Sequence, residues 1–103
     1  MVTPSAVICM APEVDPKVHR ARVTTDKVDK ILVLIEAMNI DQAEEVAVDL
    51  VKNEGVNYIQ LCPGFYYDAV ARIKKAVGDD VIVVESRADT PNARKTIKLL
   101  FGE

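Results

Sequence analysis

Val56-Asn57-Tyr58-Ile59-Gln60-Leu61-Cys62-Pro63-Gly64-Phe65 decides how this chain is read. An apolar run ends in a Pro-Gly turn, and helical spacing begins almost at once. That is a strand passing through a tight turn into a helix. In an open α/β sheet such a junction lies at the carboxyl edge, where ligands bind. Within the strand, Val56, Tyr58, Gln60 and Cys62 share one face, and Asn57, Ile59 and Leu61 the other. Gln60 is a poor fit to a strand buried on both faces. It needs a hydrogen-bond partner, water or a second subunit.

Working outward, the same alternation of element types recurs. Tyr67 to Val77 places Val70, Ile73 and Val77 on one helical face and ends at Gly78. Asp80 to Glu85 reads as a further strand. Thr90-Pro91 opens a last helix, with Ala93, Ile97, Leu100 and Phe101 as its apolar face. Upstream, Ala43, Val46, Ala47, Leu50 and Val51 recur at helical spacing, between a capping-box-like Asp41-x-x-Glu44 and Gly55. Before them, Lys30 to Met38 contains five consecutive branched aliphatics, Ile31 to Ile35, which argue a strand covered on both faces, though a buried helix has the same local pattern. Ser5 to Ala11 is a similar strand. Asp15-Pro16 predicts one short helix or helical turn between these two strands, and Thr24 to Asp29 reads as loop or the approach to a strand.

Four strands alternating with helices predict an α/β fold with a mostly parallel sheet, a small two-layer or three-layer sandwich. Its arrangement would be flavodoxin-like or that of half a β/α barrel, since four strands cannot close a barrel. The 103 residues fit one domain spanning 1–103. The composition, 50% hydrophobic and 28% charged, is that of a globular protein. A net charge of −3 argues against a general nucleic-acid binder. The longest unbroken apolar run is far short of a membrane span. No signal-peptide pattern is evident, so a reducing cytoplasm is the expected compartment. Sheet edges and any uncovered face need protection, which predicts a homodimer or larger homo-oligomer.

Parallel strands bring several loops to one edge, and the candidate site residues follow from that. His19 is the only histidine, and it is a candidate general base or anion donor. Arg20 and Arg87 are candidate anion ligands, with Arg22 more consistent with a solvated face. Glu85, directly after an apolar strand, is a candidate acid or base. Gly64 permits close backbone approach, and the N–H groups at the starts of the third and fourth helices favour an anion. Phe65, with Tyr66 and Tyr67, suits ring stacking, core or a subunit contact. Cys62 is either a thiol activated near a helix start or a buried structural cysteine; Cys9, in mid-strand, is a structural one. Two cysteines make no disulfide framework, and two cysteines with one distant histidine make no zinc pattern. No glycine-rich phosphate loop is present, and no cofactor is expected.

Ala11-Pro12-Glu13-Val14-Asp15-Pro16-Lys17-Val18-His19-Arg20 and Leu61-Cys62-Pro63-Gly64-Phe65 resemble the A-P-x-x-D-P-x-x-H-R and L-C-x-G-F motifs of a family of small prokaryotic proteins of unknown function. Its members are about as long as this chain. The resemblance implies an α/β fold and draws attention to His19, Arg20, Cys62 and Gly64 together. It implies no activity. Two functions follow from the residues: binding of a small anionic metabolite at the carboxyl edge, or an oligomeric interaction module using Tyr58, Gln60 and the aromatic cluster.

Overall fold

The structure is a computed structural model that describes residues 2–62, 64–86, 92, 94, 95, 98, 99 and 102. Its elements run β1 (Ser5–Ala11), β2 (Arg20–Thr24), β3 (Asp29–Glu36), α1 (Ile40–Glu54), β4 (Tyr58–Leu61), α2 (Tyr67–Val77) and β5 (Ile82–Glu85). The sheet has five strands in the order β2-β3-β1-β4-β5. Pairing is parallel between β3 and β1, β1 and β4, and β4 and β5, and antiparallel between β2 and β3.

The mostly parallel α/β sheet agrees with the sequence; the strand count of four does not. The additional strand is β2, within the stretch expected to hold a short helix or helical turn and then loop or strand approach. Asp15-Pro16 forms the helical turn: the Val18 and His19 N–H groups both donate to the Asp15 carbonyl, at 3.0 and 2.7 Å. The chain then returns as an antiparallel edge strand. All five residues of β2 are exposed, and two of them are arginines, which protect an edge against pairing with another chain. Thr25 closes the β2–β3 hairpin, its Oγ1 accepting the Lys27 and Val28 N–H groups at 3.2 and 3.0 Å.

Strand alternation decides where the core lies. Ala6, Ile8 and Met10 of β1, Ile31, Val33 and Ile35 of β3, and Ile59 and Leu61 of β4 are buried on one face. They pack in one cluster with Ala43, Val46, Ala47 and Leu50 of α1 and with Ala69 and Ile73 of α2. Both described helices therefore cover the same face. Together with the sheet, α1 and α2 form two layers. The expected last helix from Thr90 lies largely outside the described residues, and Arg87 lies wholly outside them.

The start of α1 also differs from the sequence reading. Asn39 is the cap, its Oδ1 accepting the Gln42 N–H at 3.0 Å. Asp41 and Glu44 bind Arg72 of α2, so the apparent capping box is an interhelical ion-pair cluster. At the other end, Gly55 adopts φ +73°, the left-handed conformation a helix stop favours. Lys74 fastens the end of α2, its Nζ donating to the carbonyls of Gly78, Asp79 and Val81.

Candidate functional site

The carboxyl ends of β3, β1, β4 and β5 form one edge, but the candidate residues do not converge on it. His19 and Arg20 stand at the start of β2, one flank of the sheet, and Glu85 ends β5 at the other. Four strand spacings of about 4.8 Å separate these flanks, roughly 19 Å in all. A small ligand cannot span that distance, so His19 and Glu85 do not act on one small molecule together.

His19 and Arg20 are exposed, and both are engaged in shaping their own loop. The His19 Nδ1 accepts the Asp15 N–H at 2.8 Å. The Arg20 Nε donates to the Pro16 carbonyl at 2.7 Å. Pro16 is buried beneath them. In this geometry the imidazole carries any ring proton on Nε2. Arg22 is also structural: it donates to Asp29 at 2.7 and 2.8 Å and to Glu54 at 3.3 Å, tying the hairpin to the end of α1. Its hydrogen bond holds the Asp29 carboxyl below the usual aspartate range, against a smaller opposing effect of burial.

The loop after β1 crosses above the end of β3. Glu36, the last residue of β3, holds it there: Oε1 accepts the Glu13 N–H at 3.1 Å and Oε2 the Val14 N–H at 3.0 Å. Glu13 sits at φ +58°, an uncommon backbone region that this carboxylate stabilises. Glu36 is not among the individual residues that the sequence singles out. The available signal was a lone carboxylate directly after five aliphatics.

The connection after β1 thus leaves towards β2, and the connection after β4 leaves towards α2. The ends of β1 and β4, adjacent in the centre of the sheet, lie between them. Cys62, Gly64 and the N-terminus of α2 meet here. Gly64 turns the chain at φ +118°, a conformation that side chains disfavour. The N-cap residue of α2, Tyr66, makes no capping hydrogen bond with its side chain, in contrast to the Asn39 cap of α1. Asp68 is the acidic residue in its first turn.

Phe65 is 6% exposed and belongs to the core cluster, whereas Tyr66 and Tyr67 are 68% and 67% exposed. The aromatic run is therefore one anchor and two surface rings. Cys62 is joined to Cys9 as a disulfide. That replaces the expectation of two unpaired cysteines: the residues are remote in sequence but directly opposite across β1 and β4. Gln60 finds its partner in Ser86, with Nε2 donating to Oγ at 2.6 Å across to the end of β5. Glu85 is half-buried beside Leu61 in the β4–β5 ladder.

The face opposite the helices carries Val7, Cys9, Leu32, Leu34, Tyr58, Gln60, Ile82 and Val84 by strand alternation. Leu32, Tyr58 and Ile82 are 40%, 38% and 56% exposed. Among the described residues no cluster of three or more His, Cys, Asp or Glu side chains is placed to hold a metal ion. No helix among them is long and apolar enough to cross a membrane.

A family model described as a family of unknown function (DUF6506) matches residues 3–100. No curated protein and no solved structure matches the chain.

Proposed function

The chain belongs to this family of unknown function, and from its own geometry we propose that it binds a small anionic molecule at the carboxyl ends of β1 and β4. One observation carries the reading: the N-terminus of α2, whose N-cap residue Tyr66 makes no side-chain cap, follows the Gly64 turn at the point where the two central connections diverge. A crevice at such a point is where open α/β sheets take ligands, and helix N–H groups there favour negative charge. The parallel strands β3-β1-β4-β5 follow the order of the first four strands of a flavodoxin-like sheet, with the edge hairpin strand β2 in place of one covering helix.

His19, Arg20 and Glu85 are not needed in this version. His19 lies about three strand spacings, roughly 14 Å, from β4. The test is a thermal-shift titration with inorganic phosphate and small carboxylates, since a ligand of the native state raises apparent stability. Asp68→Asn should enlarge the shift by removing a like charge from the helix start. Gly64→Ala should reduce it, and His19→Ala should leave it unchanged. Loss of the shift in His19→Ala alone would place the ligand on the β2 side and overturn the reading.

The apolar sheet face favours a second reading, in which the chain is an assembly module. Exposed Leu32, Tyr58 and Ile82 on one sheet face have the character of an interface core. Sedimentation of wild type against Leu32→Lys and Ile82→Lys tests it. Smaller particles from folded variants would support assembly through this face, and a monomeric wild type would dismiss it.

A further inference from the structure

We propose that Cys9 and Cys62 form a reversible dithiol–disulfide couple that exchanges with small disulfides of the glutathione class. The first observation concerns what holds the two residues together. Strands β1 and β4 are in register from Ser5↔Tyr58 to Ile8↔Leu61. The Cys62 N–H donates to the Ile8 carbonyl at 3.0 Å, extending that ladder by one residue. Cys9 and Cys62 are the next opposed pair, with Cα atoms 5.0 Å apart. The backbone ladder sets this separation, so it persists when the sulfur–sulfur bond is cut. The reduced thiols remain facing each other, and re-oxidation is an intramolecular step between pre-placed groups.

Access is the second observation. Ile8 and Met10, which flank Cys9, are 0% and 2% exposed on the helix-covered face, and so is Leu61, at 0%, before Cys62. Alternation therefore turns both cysteines to the opposite face, where each is only half-buried. A small thiol can approach there without opening the core. The two are not equivalent. Cys9 lies inside β1, paired with Leu34 of β3, whereas Cys62 lies just past the end of β4. Cys62 is the more approachable sulfur. The third observation is the cysteine inventory: the chain has two, so no competing internal partner exists.

Oxidation then proceeds in two exchanges. The Cys62 thiolate attacks one sulfur of the small disulfide, which forms a mixed disulfide and releases one small thiolate. The Cys9 thiolate attacks the Cys62 sulfur, which closes the protein disulfide and releases the second small thiolate. Two electrons pass to the small disulfide, and the two protons lost by the cysteines go to the two released thiolates. Reduction is the reverse. The oxidised form clamps the carboxyl ends of β1 and β4 to each other; the reduced form leaves them joined by the backbone ladder and the core packing of Ile8 and Leu61. The couple stands independently of whether an anion binds nearby.

The test is equilibration of the folded full chain in buffers of varied glutathione to glutathione disulfide ratio, with acid quenching, alkylation and intact-mass readout. The expected result is one two-electron transition inside the accessible range, identical when approached from either direction. Cys9→Ser should accumulate the glutathione adduct on Cys62. Cys62→Ser should form its adduct at Cys9 about tenfold more slowly or worse, because that sulfur lies within a strand rather than past its end. Two results would overturn the proposal. A bond that resists excess glutathione until the chain is denatured is a structural bridge. Thiols that stay unlinked in excess glutathione disulfide are no couple at all. The wild-type titration decides between these outcomes without any variant.

Discussion

Phe65→Ala and Tyr66→Ala alter adjacent rings in one aromatic run, yet their effects should differ several-fold. Phe65 is 6% exposed within the core cluster, and Tyr66 is 68% exposed. Truncating a buried Phe removes its apolar contacts and leaves a cavity, at a cost of about 3–5 kcal/mol. Truncating a ring already in water costs within about 0.5 kcal/mol. For a domain of this size 1 kcal/mol corresponds to a Tm change of about 4–8 °C, so Phe65→Ala should lower Tm by about 12 °C or more. That is a large share of a typical stability of about 5–15 kcal/mol. The assay is urea unfolding followed by circular dichroism, with calorimetry for Tm. A Phe65→Ala protein within about 0.5 kcal/mol of wild type would refute the reasoning. It would mean that the ring adds nothing to the core and is free to meet a ligand or partner.

Glu36→Ala should lower stability by about 1.5–3 kcal/mol, since it leaves two backbone donors without their carboxylate, and amide exchange at Glu13 and Val14 should accelerate. Reduction of the Cys9–Cys62 bond, which closes a loop of sequence separation 53, should cost about 4 kcal/mol from chain entropy released in the unfolded state; coincident urea transitions for verified oxidised and reduced protein would contradict this. The Asp29 carboxyl titrates below its ordinary value in the folded state, chiefly through the Arg22 hydrogen bond. Its contribution is therefore fully present above the ordinary aspartate value and is lost as pH falls through the lowered one. Asp29→Asn should flatten the acid limb of the stability profile and leave its alkaline limb unchanged.

The parts of the fold that were legible are those fixed by local pattern. Tyr67–Val77 is helical with the bounds its spacing indicates, because Val70, Ile73 and Val77 define a face and Gly78 ends it. Ser5–Ala11 is likewise the strand expected from its apolar run. The edge strand β2 was not legible. Its Arg-Ala-Arg-Val-Thr sequence buries nothing, and its pairing depends on a hairpin closed by Thr25 and anchored by Asp29. Strand order was not legible either, since β1 lies between β3 and β4 through contacts distant in sequence. The same limit applied to the site. His19 and Glu85 shared an edge by parallel-strand logic, but only strand order reveals that they occupy opposite flanks. The opposed cysteines and the Gln60–Ser86 hydrogen bond are products of register, which no single stretch encodes. Gln60 did announce the need for a partner, as a polar side chain in a strand of apolar neighbours.

The most direct test of the proposed binding site is a residue-resolved NMR titration of the folded chain with inorganic phosphate. Saturable amide shifts should concentrate at Gly64, Phe65 and the first turn of α2 from Tyr67 to Ala69, with smaller changes at Ser86. Shifts confined to the His19–Arg20 loop, or no saturable shift with phosphate or small carboxylates, would contradict an anion site at the ends of β1 and β4.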